Sequence, residues 1–353
     1  MAHADNLARI DVLAREHTLP GEDYLALLTT ADEEDDRYLA SQALMIKQRV
    51  YGNRVFIRGL IEISNFCRND CYYCGIRASN RACERYRLEE EDILLCCQEG
   101  YALGFRTFVL QGGEDGYFTD ARLLPLVSEI KTRYPDCAVT LSLGERTRES
   151  YAALRRAGAD RYLLRHETAN PEHYRMLHPD RLSPENRMAC LDVLRELGYQ
   201  VGAGFMVGSP YQTAQMLVGE LQFIEAFAPD MCGIGPFIPH KDTPFAAFAP
   251  GSVEMTCRLL SCIRLIHPSV LLPATTALGT LAQNGRERGI LHGANVVMPN
   301  LSPADVRNKY MLYDNKISQG AESAQALDTL RTRLAAIGCE IACDRGDIKK
   351  DEE

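Results

Sequence analysis

No stretch of the 353-residue chain approaches the roughly 20 consecutive apolar residues that span a bilayer. The first residues, MAHADNLARIDVLAREH, also lack the uninterrupted apolar run of an export signal. Together these absences point to a cytoplasmic protein with no membrane partner. An excess of base is missing too. The formal net charge of −9 argues against broad electrostatic binding to nucleic acid or anionic membranes. No repeat of short fixed period and no low-complexity linker divides the chain. Hydrophobic residues make up 46% and charged residues 25%, as in a soluble globular protein with ample core. A chain this long needs no disulfide staples. Its 13 cysteines, an odd number, suggest reduced thiols plus a metal or redox site.

Three of those cysteines stand apart. ISNFCRNDCYYCGIRASN, residues 63–80, places Cys67, Cys71 and Cys74 at the spacing C-x3-C-x2-C. A structural zinc takes four protein ligands, and the nearest fourth is Cys83. Chance clustering of packing thiols is a second alternative, but free cysteine packs as a small apolar residue and this stretch is polar. Three thiolates can instead hold three corners of a [4Fe–4S] cube and leave the last iron open to a substrate or cosubstrate. Clusters with a full set of protein ligands carry four cysteines and only move electrons. The other ten cysteines, Cys96 and Cys97 among them, lie isolated or within apolar helical patterns and read as packing.

Residues 1–50 carry apolar positions at helical spacing and read as an N-terminal helical extension. From residue 54 the texture changes to short apolar runs at 54–64, 107–111, 138–144, 161–167, 200–208, 230–239, 269–276 and 294–300. Amphipathic stretches separate them. The alternation predicts an α/β chain, a complete (β/α)8 barrel of TIM type over residues 51–315, with an open doubly wound sheet as the alternative. Polar or glycine-rich sequence follows nearly every run, which favours the barrel, whose sites lie at that end. Residues 316–353 read as a C-terminal helical segment and charged tail. The closing DRGDIKKDEE is too charged to bury and is expected to fray.

The triplet after the first strand, with Tyr73 before the third cysteine, resembles the radical SAM superfamily. LQGGED (110–115), TLSLGE (140–145), GADRYLLRHETANP (158–171), ENR (185–187), GIGPFIPHKDTP (233–244), PATTALGT (273–280) and GANVVMPN (293–300) narrow the resemblance to the HydE family. These are the radical SAM maturases of the [FeFe]-hydrogenase active site, and the likeness covers residues 50–315. Methylornithine synthases share the triplet, a GED-like second strand and GANVV, but not YLLRHETANP or GIGPFIPH.

The resemblance implies one [4Fe–4S] cluster on Cys67, Cys71 and Cys74, with S-adenosyl-L-methionine (SAM) as the missing ligand. It implies SAM contacts at Tyr73, Gly112, Gly113, Glu114, Thr140, Ser142, Glu167 and Arg187. Arg165, Met231, Thr275, Thr276, Met298 and Tyr310 would line the substrate end. On their own chemistry, the strand-end glycines permit close backbone approach, and the Arg187 guanidinium suits a carboxylate. Methionines at such positions are more often core filler than ligand. Three ionisable residues, Arg165, His166 and Glu167, end the fourth run and could form an ion-pair network. His166 reads as structural, because a histidine beside a glutamate more often orients its neighbour than catalyses. Implied partners are a small organometallic or thiol-containing substrate, a flavodoxin- or ferredoxin-type reductant, the maturase that makes the iron synthon and the scaffold that receives the product. Some HydE proteins carry an accessory cluster soon after a tyrosine pair matching Tyr310 and Tyr313. No cysteine follows that pair until Cys339 and Cys343, so no second cluster is expected. An amino-acid mutase of the methylornithine synthase kind and a non-catalytic metal-binding or redox-sensing protein remain as alternatives.

Overall fold

A computed structural model describes residues 2–317 and 323–349. Three helices, Ala2–Glu16, Gly21–Thr30 and Glu33–Tyr51, precede the first strand. The third starts on a capping box in which the Asp32 carboxylate accepts from the amides of Glu34 and Asp35. Four acids, Glu33 to Asp36, fill its positive first turn. One of them also ties the extension to the body. The Arg258 guanidinium donates to both Asp36 oxygens, at 2.6 and 2.8 Å, from the helix Val253–Ile266.

Eleven strands are present among the described residues: β1 (Arg54–Ile57), β2 (Gly59–Ser64), β3 (Thr107–Gly112), β4 (Ala138–Ser142), β5 (Arg161–Leu163), β6 (Gln200–Ala203), β7 (Met206–Val207), β8 (Met231–Cys232), β9 (Gly235–Pro236), β10 (Val296–Val297) and β11 (Glu340–Ala342). All pairings between them are parallel. The main sheet has the order β2-β3-β4-β5-β6-β8, a second has β10-β1-β11, and β7 pairs with β9. Helices Glu90–Ala102, Asp120–Arg133, Arg148–Ala157, Pro184–Glu196 and Ala214–Phe227 connect the strands of the main sheet.

The period-two alternation of strands divides these residues into two faces. Ile61, Leu110, Leu141, Tyr162 and Val201 stand in register, fully buried under the helices. The opposite face carries Leu60, Val109, Thr140 and Arg161 in one row and Glu62, Gln111 and Ser142 in the next. That inner face is polar where a plain core would be aliphatic.

The ladders do not run round a closed ring among the described residues. Single bridges link Met231 to Leu271, Pro273 to Val296 and Leu60 to Asn300, where the complete barrel would have full strands. The run 269–276 contributes only those bridges, because Pro273 has no amide to donate and interrupts any ladder there. The 54–64 run is broken at Arg58, and the 200–208 and 230–239 runs each split into two short strands around Gly204 and Gly233.

The tail corrects one expectation. β11 adds in parallel to β1, and the chain then turns under the sheet instead of fraying. The fully buried Arg161 donates to the Arg345 carbonyl at 2.6 Å and to Asp347 at 2.5 Å, while Thr107 donates to the same carbonyl at 2.9 Å. Gly346, at φ +56, lets the turn lie on Phe56, since a Cβ there would stand 2.7 Å from the ring. Residues 318–322 and 350–353 lie outside the described part. The charge that predicted exposure is the charge that compensates a buried arginine.

Burial alone would raise the Asp347 carboxyl, but hydrogen bonding from Arg345 and the Arg161 charge hold it well below its ordinary range. A depressed folded value stabilises above the unfolded carboxylate pKa of about 3.9 and is lost on acidification below it. Asp347→Asn should therefore lower unfolding free energy at pH 7 by about 2 kcal/mol. The full cost for a buried pair is softened because Asp347 keeps 38% side-chain exposure. Urea unfolding at several pH values checks this. The gap between variant and wild type should close as the pH falls below about 4.

Candidate active site

The cysteine segment follows β2 and carries neither helix nor regular strand, so side chains hold its shape. Arg85 donates to the carbonyls of Ile76, Arg77 and Asn80 at 2.8, 2.6 and 3.2 Å. Asn65 bridges the carbonyls of Glu84 and Lys309 at 2.8 and 2.7 Å. Asp70 accepts from Arg77 and from the amide and hydroxyl of Ser79, and the Arg77 guanidinium leads in holding its carboxyl below the usual range. Gly75 donates to the Leu312 carbonyl at 2.8 Å, docking the segment on the far end of the chain.

Cys67, Cys71 and Cys74 are half-buried on this scaffold. Burial raises all three thiols. Cys71 is pushed up to about 12, and Cys67 and Cys74 are raised as well. Without a cation they stay protonated, and a metal centre that binds there must displace those protons. Among the described residues, the group of three such ligand atoms within 4.8 Å of one another is His3, Asp32 and Asp35.

β3 meets this segment through Gly113. A Cβ there would lie 2.2 Å from the Phe66 carbonyl oxygen and 2.7 Å from Cys67 Cβ. The glycine thus admits the cysteine loop itself, and its amide donates to Ser64 at 3.1 Å. Gly112 is less crowded, with Ser64 O 3.3 Å from a built Cβ. The Glu114 side chain lies across Gly144, accepts from Arg68 at 2.9 Å and from the Glu145 amide at 3.0 Å, and faces Arg187 at 3.8 Å.

Arg187 enters from the first turn of the helix Pro184–Glu196. Burial works against its charge, but Tyr174, Glu145 and Glu114 outweigh that and raise it above the ordinary arginine range. Its Nε lies 2.7 Å from Glu145 Oε1, and its Nη1 donates to the Arg165 carbonyl at 3.3 Å. Arg165 Nη2 lies 3.0 Å from Glu167 Oε2. Glu167 adopts φ +65, a left-handed conformation that costs a non-glycine residue about 1–3 kcal/mol and persists only where its surroundings enforce it. Tyr73 meets His178 Nε2 through its hydroxyl at 3.1 Å, and His178 stacks on Tyr174 at 3.9 Å. Burial lowers His178 to about 3, so it stays neutral.

Several buried polar atoms here have no hydrogen-bond partner: Thr140 Oγ1, Tyr174 Oη, Thr275 Oγ1, Glu145 Oε1, Glu167 Oε2, Arg187 Nε, and Nε and Nη2 of Arg165. The carboxylate and guanidinium atoms pair by distance without hydrogen-bond geometry. Buried polar groups are ordinarily satisfied, so this concentration marks a place that accepts a polar ligand.

The other predicted positions are distributed along the inner face. Ser142 and Thr140 share it, two residues apart on β4. Tyr310 is buried and accepts from Gln111 at 3.4 Å. Thr275 and Thr276 belong to no strand. They begin the short helix Thr276–Leu281, with Thr275 Oγ1 2.8 Å from a Cβ built on Gly235. Met231 and Met298 pack instead with Tyr51, Phe56, Leu271, Val296 and Ala342 toward the tail, and Met231 Sδ receives Arg58 Nη1 at 2.9 Å. Sequence reasoning missed Glu145, Tyr174 and His178. The first had a signal, because Gly144-Glu145 repeats after β4 the Gly113-Glu114 pair after β3.

A cavity of ≈ 480 Å³ opens outside this group, lined by Arg68, Glu114, Glu145, Arg146, Asp120 and Ser150. Gly113→Ala should disturb the cysteine loop, whereas Gly116, with nothing within 4 Å of a built Cβ, should tolerate alanine. Iron and sulfide assays after anaerobic reconstitution should show a large loss for Gly113→Ala and wild-type content for Gly116→Ala.

Residues 61–224 match the Radical SAM superfamily. The chain is 44% identical over 305 residues to the [FeFe] hydrogenase maturase subunit HydE of Thermotoga maritima, covering 86% of this chain and 87% of that protein. It is 28% identical over 327 residues to a 3-methylornithine synthase of Methanosarcina acetivorans, at 92% and 91% coverage. The crystal structure of methylornithine synthase (PylB) superposes with a TM-score of 0.82 at 26% identity, covering 95% of this chain and 97% of that one. The cysteine loop, the parallel sheet and this similarity agree: the chain belongs to the HydE family of the radical SAM superfamily and is a radical SAM enzyme.

Proposed function

We propose that the chain is a hydrogenase maturase that cleaves SAM reductively and acts on a small organometallic or thiol-containing substrate inside a barrel closed by the Leu271, Pro273 and Leu60 bridges. The observation that carries this reading is the group of buried polar atoms without hydrogen bonds on the side chains around Arg187 and Glu167, beside the cysteine triplet. The residues fit the group the family implies. Cys67, Cys71 and Cys74 would hold one [4Fe–4S] cluster. Tyr73, Gly112, Gly113, Glu114, Thr140, Ser142, Glu167 and Arg187 would hold SAM. When bound, the reduced cluster supplies one electron to the sulfonium, which yields methionine and a 5′-deoxyadenosyl radical.

The protein's own work is binding and exclusion. Arg187, beside Glu145 and Glu114, suits a carboxylate. Glu167 offers an acceptor to a ribose hydroxyl or an ammonium. Thr140 and Ser142 supply hydroxyls from the inner face. Arg165, Thr275, Thr276 and Tyr310 would meet the substrate. The tail turn shuts the floor against water. A flavodoxin- or ferredoxin-type reductant and the other maturases, the synthon maker and the scaffold, complete the proposed partners. No helix among the described residues is long and apolar enough to cross a membrane. The likeness to 3-methylornithine synthase favours an amino-acid mutase as the second reading.

Anaerobic reconstitution with iron and sulfide, then SAM and dithionite, tests the first step. Wild type and Cys83→Ala should form 5′-deoxyadenosine, while Cys67→Ala, Cys71→Ala and Cys74→Ala should each fall to background. An intact, reducible cluster without nucleoside would overturn the reading. Rearrangement of a free amino acid would move it to the mutase.

A further inference from the structure

Resting on that reading of the SAM site, we infer that the buried pair His166–Glu220 is a positioning device that holds Glu167 in its left-handed conformation. Both side chains are fully buried, and His166 Nε2 lies 2.8 Å from Glu220 Oε2. Glu220 comes from the apolar face of the helix Ala214–Phe227, where Leu217, Val218, Leu221 and Ile224 are its buried neighbours. A lone carboxylate in that company is costly unless its oxygens are filled.

They are filled in an informative way. Oε2 takes the His166 ring, and Oε1 takes the Ala169 amide at 2.7 Å. One carboxylate therefore grips the chain on both sides of Glu167. On the ring's other edge, the Gly204 amide donates to His166 Nδ1 at 3.3 Å, which leaves the ring proton on Nε2 for Glu220. The carbonyl of Gly204 accepts from the Glu167 amide at 3.0 Å, and the Glu167 carbonyl accepts from Met206 at 3.3 Å. Phe223 closes over the imidazole at 4.4 Å. These connections surround the one residue at φ +65, whose carboxylate Oε2 lies 3.0 Å from Arg165 Nη2 without hydrogen-bond geometry. Neither His166 nor Glu220 faces the ligand space. Their influence passes through Glu167.

Glu220→Gln tests this with almost no change of shape. A glutamine carbonyl satisfies either the Ala169 amide or His166 Nε2–H, and its NH2 then opposes the other donor. Shifting the ring proton to Nδ1 only moves the conflict to the Gly204 amide. One buried donor is stranded in every arrangement. Equilibrium dialysis of SAM on reconstituted holoprotein should show Kd raised about tenfold, with iron content at the wild-type level. Glu167→Gln should weaken binding as well, and Glu167→Gln/Glu220→Gln should be no weaker than Glu167→Gln alone, since both act through one side chain. Unchanged affinity in Glu220→Gln, or losses that multiply in the double variant, would overturn the inference. If Glu220→Gln gives no soluble holoprotein, His166→Gln, which keeps a donor toward Glu220 and loses the acceptor for Gly204, enters the same cycle with the same expected result. Wild-type holoprotein that fails to bind SAM would instead bring down the site assignment itself.

Discussion

A polar side chain on the inner face of this sheet has lost water, and the whole arrangement follows from how that loss is made good. At the floor, Arg58 Nε apart, it is made good internally. Arg161 is met by Asp347, the Arg345 carbonyl and Gln200, and Thr107 joins the same carbonyl. At the mouth it is not. Thr140, Tyr174 and Thr275 keep hydroxyls without a hydrogen bond, and the contacts Arg165 Nη2–Glu167 Oε2 and Arg187 Nε–Glu145 Oε1 lack hydrogen-bond geometry. The same strands thus carry a finished end and an unfinished end. The unfinished end lies beside the cysteines.

The backbone contributes where side chains cannot. Gly113 lets β3 touch the cysteine loop, and Gly144 gives the Glu114 side chain room to lie across the end of β4. Arg85 and Asn65 fix a segment that has no ladder of its own by donating to its carbonyls and to those nearby. Rigidity matters because the three thiols must present fixed corners. The buried guanidinium of Arg187 matters for the opposite reason, since Tyr174, Glu145 and Glu114 offset the cost of burying its charge.

Much of this was legible in the chain. Apolar runs marked the strands of the main sheet because each has one face wholly under helices, as the row Ile61, Leu110, Leu141 and Tyr162 shows. The cysteine spacing marked its loop. What stayed hidden depends on distant partners. Asp347 looked solvent-bound because Arg161 lies 186 residues earlier in the chain. Tyr174 and His178 stack four residues apart along the helix Pro171–Leu177 and its cap, a spacing that allows the contact but does not show that Tyr73 and Arg187 meet it. Met231 and Met298 looked like cavity liners, yet they pack with Phe56 and Leu271 toward the tail. Pro273 shows why the last strands were overdrawn, because a residue without an amide cannot extend a ladder.

The place of β11 has a kinetic consequence. β1 is flanked by β10 on one side and β11 on the other, and its register pairs Arg54 with Glu340. One flank of β1 therefore stays an open edge until residues near 340 have found it, a contact across nearly the entire described chain. Such distant pairing is slow to form, and an unpaired apolar edge invites association with other chains in the meantime. Refolding from denaturant should therefore be limited by the closing of this flank, while the near-neighbour pairs β2-β3 and β3-β4 assemble first.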